Sequence, residues 1–153
     1  MSDTDLLISR RRFCAGACSA GLATLFTACG GSSTSPSGGS ASPLGKIAGR
    51  LAGSTVQFNV GGSPLATVGG AALVESTGGV FLVSRSSDSS FTAVEAVCTH
   101  EGCTITGEAG TVYVCPCHGS RYDRGGHVIE GPAKASLRQY TAAFAGDVVT
   151  ISL

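Results

Sequence analysis

Cys98-Thr99-His100-Glu101-Gly102-Cys103 is followed further along the chain by Cys115-Pro116-Cys117-His118-Gly119-Ser120, and these two stretches decide the fold. Together they contain four of the seven cysteines and two of the three histidines. Clustering of cysteine with histidine indicates a metal site rather than a dispersed disulfide framework. Each stretch opens at the end of a predicted strand, at Val97 and Val114. Two loops at the same end of neighbouring strands can close around one metal centre.

The sequence around these loops predicts strands. Short apolar runs rich in Val, Ile, Thr, Phe and Tyr alternate with Gly, Ser, Asp and Pro, which indicates an antiparallel all-β domain. Val56, Phe58 and Val60 are expected to share one buried face. The predicted strands are 54–60, 71–75, 80–84, 91–97, 111–115, 127–129, 138–144 and 148–152.

Glycine pairs predict the turns between several of these strands. Gly78-Gly79, Gly125-Gly126 and Gly146-Asp147 are the expected hairpin turns. No segment has a sustained helical repeat of apolar residues, and the few helical turns are expected near 133–136.

The donor set leaves two metal centres open. Two thiolates and two imidazoles could hold a tetrahedral zinc ion. They could equally hold a [2Fe–2S] cluster in which two cysteines bind one iron and two histidines bind the other. The six candidate ligands exceed the four that zinc takes, which leaves two cysteines unexplained if the metal is zinc.

The two stretches match C-x-H-x-G-C and C-x-C-H-G-S, and by this motif pair the chain resembles the Rieske family over residues 45–153. The resemblance implies an antiparallel β-sandwich with a small cluster-binding subdomain and one [2Fe–2S] cluster. By the same match, Cys98 and Cys115 would ligate one iron and His100 and His118 the other. The resemblance further implies a disulfide that ties the two loops together, between Cys103 and Cys117.

Residues next to the ligands resemble those of the high-potential, disulfide-bearing members of that family. Ser120 and Tyr122 stand where those members place hydrogen-bond donors to the cluster sulfurs, although strand packing alone could account for Tyr122. Gly102 and Gly119 are expected to let the backbone approach the cluster. Pro132, in Gly131-Pro132-Ala133, resembles the proline of a covering loop. His127, the remaining histidine, is expected at the solvated surface.

The N-terminal region resembles an export leader. Ser9-Arg10-Arg11-Arg12-Phe13 precedes a short apolar run over 15–28, and the Arg pair matches a twin-arginine signal, with a general secretory signal as the alternative. Residues 25–30 resemble a lipobox, which would make Cys29 a lipidation site. The alternatives are an incidental cysteine and an uncleaved anchor. The predicted organisation is a signal at 1–28, a flexible Gly/Ser/Pro tether at 29–44 and the domain at 45–153.

Charge and motif content exclude other functions. Ten basic and ten acidic residues balance, which argues against nucleic acid as a partner. The sequence shows no Ser-His-Asp set and no phosphate-binding glycine loop. The chain is therefore expected to be an electron carrier rather than a catalyst on its own.

Three functions follow as hypotheses. The first is the iron–sulfur subunit of a membrane-associated quinol–cytochrome c reductase-like complex, with cytochrome b/c partners and hydroquinone as donor. The second is a peripheral carrier on the periplasmic side for another exported oxidoreductase, of the arsenite-oxidase kind. The third is a structural metal-binding module. Glu101 stands where quinol-oxidising members usually carry Leu, and a carboxylate pressed into an apolar pocket would be desolvated, which counts against hydroquinone.

Overall fold

The computed structural model describes residues 41–153. The predicted signal at 1–28, the lipidation site Cys29 and most of the predicted tether lie outside these residues. Within residues 41–153, no helix has the length and apolar character needed to cross a membrane.

The described part of the chain is built from short strands. It also contains a one-turn 3₁₀ helix, Pro64–Ala66, which is capped by Ser63, whose hydroxyl accepts a hydrogen bond from the Leu65 amide. In chain order the strands are β1 (Ser42–Pro43), β2 (Gly45–Ala48), β3 (Arg50–Ala52), β4 (Thr55–Asn59), β5 (Ala71–Ser76), β6 (Gly79–Arg85), β7 (Phe91–Glu95), β8 (Gly107–Ala109), β9 (Val112–Val114), β10 (Arg121–Tyr122), β11 (Val128–Glu130), β12 (Gln139–Ala145) and β13 (Val148–Ser152).

The strands form two sheets. The larger has the order β2-β5-β6-β7-β12-β13-β4-β3, and β12 changes partners along its length, pairing with β7 at Gln139–Tyr140 and with β13 from Thr141 onward. The smaller has the order β1-β8-β9-β10-β11 and carries the second Cys/His loop between β9 and β10. The pairings are antiparallel except for β2 with β5, which is parallel.

Apolar side chains fill both faces of the central strands β5, β6 and β7. Leu73, Leu82 and Val94 pack with residues of the smaller sheet and the Cys/His loops. Val74 and Val83 pack on the opposite side against β4 and β13. The central strands are therefore covered on both faces, and the smaller sheet lies on one of them.

The predicted all-β sandwich is confirmed, and so are its main strands and the turn at Gly146-Asp147. Val56, Phe58 and Val60 are all buried. Gly146 and Asp147 form the turn between β12 and β13, with φ angles of 55° and 63°. The chain turns at Thr77–Gly78, so Gly79 belongs to β6 rather than to the turn. The five short strands β1, β2, β3, β8 and β10 were not predicted.

The last residues of the predicted tether belong to the fold. Ser42 and Pro43 pair with Glu108 and Gly107 of β8, and Leu44 is buried. Pro43 is compatible with this position because β1 is an edge strand, where a missing N–H costs no ladder hydrogen bond. Residues 42–44 therefore belong to the fold, ahead of the predicted start at residue 45.

The prediction of a helical turn near 133–136 is wrong, because this segment contains no helix. Its backbone groups are bound by side chains from elsewhere: the Ala133 amide donates to Ser120 Oγ at 3.0 Å, and the Ala135 carbonyl accepts from Thr99 Oγ1 at 2.6 Å. These bonds replace the i to i+4 pattern that a helix would need.

Candidate metal centre

The two Cys/His loops have the same backbone geometry. In the first, the Cys98 amide donates to the Cys103 carbonyl at 2.8 Å and the Gly102 amide donates to the Cys98 carbonyl at 2.9 Å. In the second, Cys115, Gly119 and Ser120 repeat this pattern at 2.9 and 3.0 Å. Each loop therefore closes on its own first cysteine, and this holds the side chains at positions one and three or four in a fixed direction.

Glycine is required in both loops by its backbone conformation. Gly102 and Gly119 both have φ of +75°, a region that residues with a Cβ adopt only with strain. A Cβ at either position would meet no protein atom within 4 Å, so packing is not the reason for glycine.

A disulfide between Cys103 and Cys117 joins the two loops, as predicted. The pairing leaves Cys98 and Cys115 as the free cysteines of the described residues, and both are buried. The sulfur atoms of Cys103, Cys115 and Cys117 lie within 4.8 Å of one another. Among residues 41–153, the disulfide therefore leaves the free thiols of Cys98 and Cys115 as the candidate sulfur ligands for a metal.

The two histidines of the loops lie side by side nearer the surface. The Nδ1 atoms of His100 and His118 are 3.2 Å apart, and the ring planes are nearly perpendicular. Their side chains are 28% and 46% exposed. The site thus has a buried pair of thiols and a partly exposed pair of imidazoles, and each loop contributes one residue to each pair.

Tyr122 lies directly against the buried sulfur of Cys98. Its hydroxyl oxygen is 3.3 Å from Cys98 Sγ and 3.2 Å from Thr99 Oγ1, and it accepts a hydrogen bond from the Thr99 amide at 3.3 Å. Thr99 Oγ1 uses its own proton on the Ala135 carbonyl. The single proton of Tyr122 therefore has two acceptors within reach, the sulfur of Cys98 and the hydroxyl of Thr99.

Ser120 connects the second loop to the segment that follows β11. Its side chain is fully buried, and its Oγ accepts a hydrogen bond from the Ala133 amide at 3.0 Å. Pro132, which precedes Ala133, lines a groove beside His100 together with Lys134. The segment expected to cover the cluster is thus bound to both Cys/His loops, through Ser120 and through Thr99.

The two free thiols differ in acidity. Burial opposes ionisation of Cys98, but hydrogen bonds, with that of Tyr122 the largest, bring the pKa of this thiol below its ordinary value. Burial raises the pKa of Cys115, and the neighbouring Cys98 adds to this effect. Burial and the contact with Cys98 also raise the pKa of Tyr122, so the phenol keeps its proton and remains a donor.

Two features of the site were not visible in the sequence. The sequence predicts no role for Thr99, although it bonds both Tyr122 and the covering segment. The sequence places Glu101 at the expected docking tip but does not predict its contact with both histidines, where its carboxylate lies 3.9 Å from His100 Nε2 and 3.8 Å from His118 Nε2. The position of Thr99 between Cys98 and His100 is the one signal that could have drawn attention to it.

His127 lies away from this centre and is exposed, as expected. Its Nδ1 is 3.0 Å from a carboxylate oxygen of Asp123, and its amide donates to the same side chain. These contacts close the turn between β10 and β11.

Comparison with known proteins assigns the chain to a family. Residues 50–141, more than half of the chain, match the model of the Rieske [2Fe-2S] domain. The chain belongs to this family, and its cofactor is therefore one [2Fe–2S] cluster, which decides between the two metal centres that the sequence left open.

Relatives with curated names match a shorter region. The chain is 48% identical over 62 residues to the cytochrome b6-f complex iron-sulfur subunit of Chlorobaculum thiosulfatiphilum, covering 40% of this chain and 34% of the relative. It is 48% identical over 60 residues to the subunit of the same name from Synechococcus sp. (strain JA-3-3Ab), covering 39% and 35%. The chain thus matches about a third of the length of these relatives.

Among solved structures, the chain is similar to the cyanobacterial plasma membrane Rieske protein PetC3 from Synechocystis PCC 6803. The sequences are 28% identical, the TM-score is 0.49, and the match covers 54% of this chain and 86% of that one.

The residues at the site fit a [2Fe–2S] cluster. Two buried free thiols and two partly exposed imidazoles are brought together, and the other two cysteines of the loops are consumed by the disulfide. A cluster whose irons take different ligands needs such a division into a sulfur pair and a nitrogen pair.

Proposed function

We propose that the chain is a one-electron carrier whose cluster is held by Cys98 and Cys115 on one iron and by His100 and His118 on the other. The observation that carries the proposal is the division of the site into a buried thiol pair and a partly exposed imidazole pair. When bound, the cluster supplies reversible one-electron chemistry.

The residues around the thiols favour the reduced state of such a centre. Tyr122 can donate a hydrogen bond to Cys98 Sγ. The Ser120 hydroxyl, whose oxygen already accepts from Ala133, keeps its proton free for the sulfur side of the site, where it lowers the pKa of Cys98. Donors to sulfur stabilise added negative charge and raise the reduction potential. The carrier is therefore expected to work at positive potential.

The histidine edge is the surface where electrons enter and leave. His100 and His118 are the solvent-facing members of the ligand set, whereas Cys98 and Cys115 are 2% and 1% exposed. A partner that contacts these rings reaches the cluster without crossing further protein.

The partners are proposed to be those of a quinol-oxidising membrane complex. Support comes from relatives named as cytochrome b6-f complex iron-sulfur subunits. In such an assembly, hydroquinone is the electron donor and a cytochrome is the acceptor.

A second candidate is a peripheral carrier for another exported oxidoreductase. The observation in its favour is Glu101, whose carboxylate is 61% exposed beside both imidazoles and would lose its hydration in an apolar quinone pocket.

Export and anchoring complete the proposal. Residues 1–28 would direct export, Cys29 would carry lipid on the periplasmic side of a membrane, and the residues between Cys29 and Ser42 would tether the domain. Mass spectrometry of the mature N-terminus tests this part. A diacylated Cys29 is expected, and an unmodified chain starting elsewhere would contradict it.

An EPR-monitored redox titration of the purified chain tests the carrier. We expect a [2Fe–2S] signal with a positive midpoint potential, and reduction of the cluster by a short-chain hydroquinone. A strongly negative midpoint with the cluster intact would exclude hydroquinone as donor. A positive midpoint without reduction by hydroquinone would favour the peripheral carrier.

A further inference from the structure

Glu101 places a negative charge at the point where both imidazoles meet solvent. Its two carboxylate oxygens face different rings, with Oε1 3.9 Å from His100 Nε2 and Oε2 3.8 Å from His118 Nε2. The Nδ1 atoms face each other on the inner side of the pair, 3.2 Å apart. The carboxylate therefore lies on the outer, solvent side of both rings.

Nearby cations leave this charge largely uncompensated. In residues 41–153, no lysine or arginine nitrogen lies within 4.0 Å of the Glu101 carboxylate. Arg121, beside His118, faces Glu130 at 3.9 Å. Lys134 lines the groove on the His100 side and is the remaining cation there. The described residues contain seven basic and eight acidic side chains, so the whole domain does not offset the local charge.

We propose that Glu101 is a specificity-determining residue that selects a positively charged electron acceptor at the histidine edge. This inference rests on the proposed function, because it assumes that electrons leave through His100 and His118. An acceptor with a cationic docking group gains attraction from the carboxylate at contact distance, and an anionic acceptor is repelled. The carboxylate changes the rate at which carrier and acceptor associate, and this rate depends on ionic strength.

Two small oxidants of equal and opposite charge test the inference on the intact cluster-loaded chain. In stopped-flow mixing, the reduced cluster gives one electron either to tris(phenanthroline)cobalt(III), which carries three positive charges and becomes cobalt(II), or to ferricyanide, which carries three negative charges and becomes ferrocyanide. The ratio of the two rate constants isolates charge, because a change in midpoint potential alters the driving force for both reagents in the same direction.

The test variant is Glu101→Gln, which removes the charge and keeps the shape. A unit charge about 7 Å from a trivalent reagent, screened at ~0.1 M salt, changes each rate constant about five-fold. We expect the cobalt rate constant to fall and the ferricyanide rate constant to rise by about this factor, and both differences to shrink at high salt. The midpoint potential of the variant should also rise, since a nearby carboxylate stabilises the oxidised cluster.

Asp88→Asn is the matched control. It removes the same charge from the exposed loop that precedes β7, at the opposite end of that strand from the Cys98 loop, five strand residues or about 16 Å away. We expect it to change the ratio less than about two-fold, as a distance well beyond the Debye length implies. Equal effects of the two variants on the ratio, or an unchanged ratio in Glu101→Gln, would overturn the inference. Loss of the [2Fe–2S] signal in the parent chain would instead overturn the proposed function.

Discussion

Replacing Tyr122 by Phe should lower the reduction potential of the cluster while leaving the cluster bound. Tyr122 is fully buried and packs in the core below the loops, so Phe fills the same space without its hydroxyl. The change removes the hydrogen bond that the phenol can give to Cys98 Sγ, 3.3 Å away.

The magnitude follows from how the proton of Tyr122 is shared. A hydrogen bond to a charged group contributes roughly 1.5–3 kcal/mol. Only the part that grows on reduction alters the potential, and Thr99 Oγ1 at 3.2 Å competes for the same proton. We therefore expect the hydrogen bond to be about 1 kcal/mol stronger in the reduced than in the oxidised state. For one electron, its loss corresponds to a decrease in midpoint potential of about 40 mV.

The assay is an EPR-monitored redox titration with Tyr113→Phe as its matched control. Tyr113 is equally buried and pairs with Tyr122 across β9 and β10, but its hydroxyl has no hydrogen-bond partner among the described residues. We expect an unchanged midpoint in Tyr113→Phe. An unchanged midpoint in Tyr122→Phe, or an equal decrease in both variants, would refute the assignment of Tyr122 as a donor to the sulfur.

Three further changes test the two Cys/His loops and the turn between β10 and β11. Replacing both Cys103 and Cys117 by Ser removes a disulfide of sequence separation 14 and should lower the free energy of unfolding, measured by urea titration, by about 3 kcal/mol. Once the disulfide of the parent is reduced, parent and variant should be equally stable. A difference that remains would contradict this role of the disulfide. Gly119→Ala, at a position with φ of +75°, should lower the free energy of unfolding by about 1–2 kcal/mol. Gly131→Ala should lower it less in the same titration, because the added Cβ would lie no closer than 3.5 Å to its nearest neighbouring atom. Burial opposes ionisation of Asp123, but the hydrogen bonds and charge of His127 hold its pKa below the ordinary value of 3.8. The ionised Asp123 thus stabilises the folded state above pH 3.8, and this stabilisation is lost as the pH falls through the lower pKa of the folded state. Asp123→Asn should therefore make the melting temperature depend less steeply on pH in this acid range. An unchanged dependence would count against the Asp123–His127 interaction.

The two Cys/His loops were predictable as a candidate metal centre because their chemistry is local. Glycine at the fifth position of both loops follows from a closed turn that needs positive φ at that point. The disulfide was implied by the family resemblance, not by the residues alone.

The central strands were harder to interpret, since apolar runs such as Val80–Val83 carry no alternation. In the structure, Leu82 packs against the smaller sheet, and Val83 packs on the opposite side against β4 and β13. Both faces of the strand are therefore buried. Sequence periodicity cannot separate such a strand into an inner and an outer side.

The remaining errors come from long-range contacts. Ser42 and Pro43 read as tether because their composition is that of a linker, yet pairing with β8, more than sixty residues away, places them in a sheet. The Ala133 segment was expected to be helical, but Ser120 and Thr99 bind its backbone. Neither interaction leaves a trace in the local sequence.

The central claim is that two cysteines and two histidines of these loops hold one [2Fe–2S] cluster. Pulsed EPR of the reduced chain, with histidine labelled with ¹⁵N, tests it most directly. We predict two coupled histidine nitrogens in the parent, the same two in His127→Gln, and loss or rearrangement of the coupling in His118→Cys. A signal with no histidine coupling, or a chain that contains zinc and no iron, would contradict the claim.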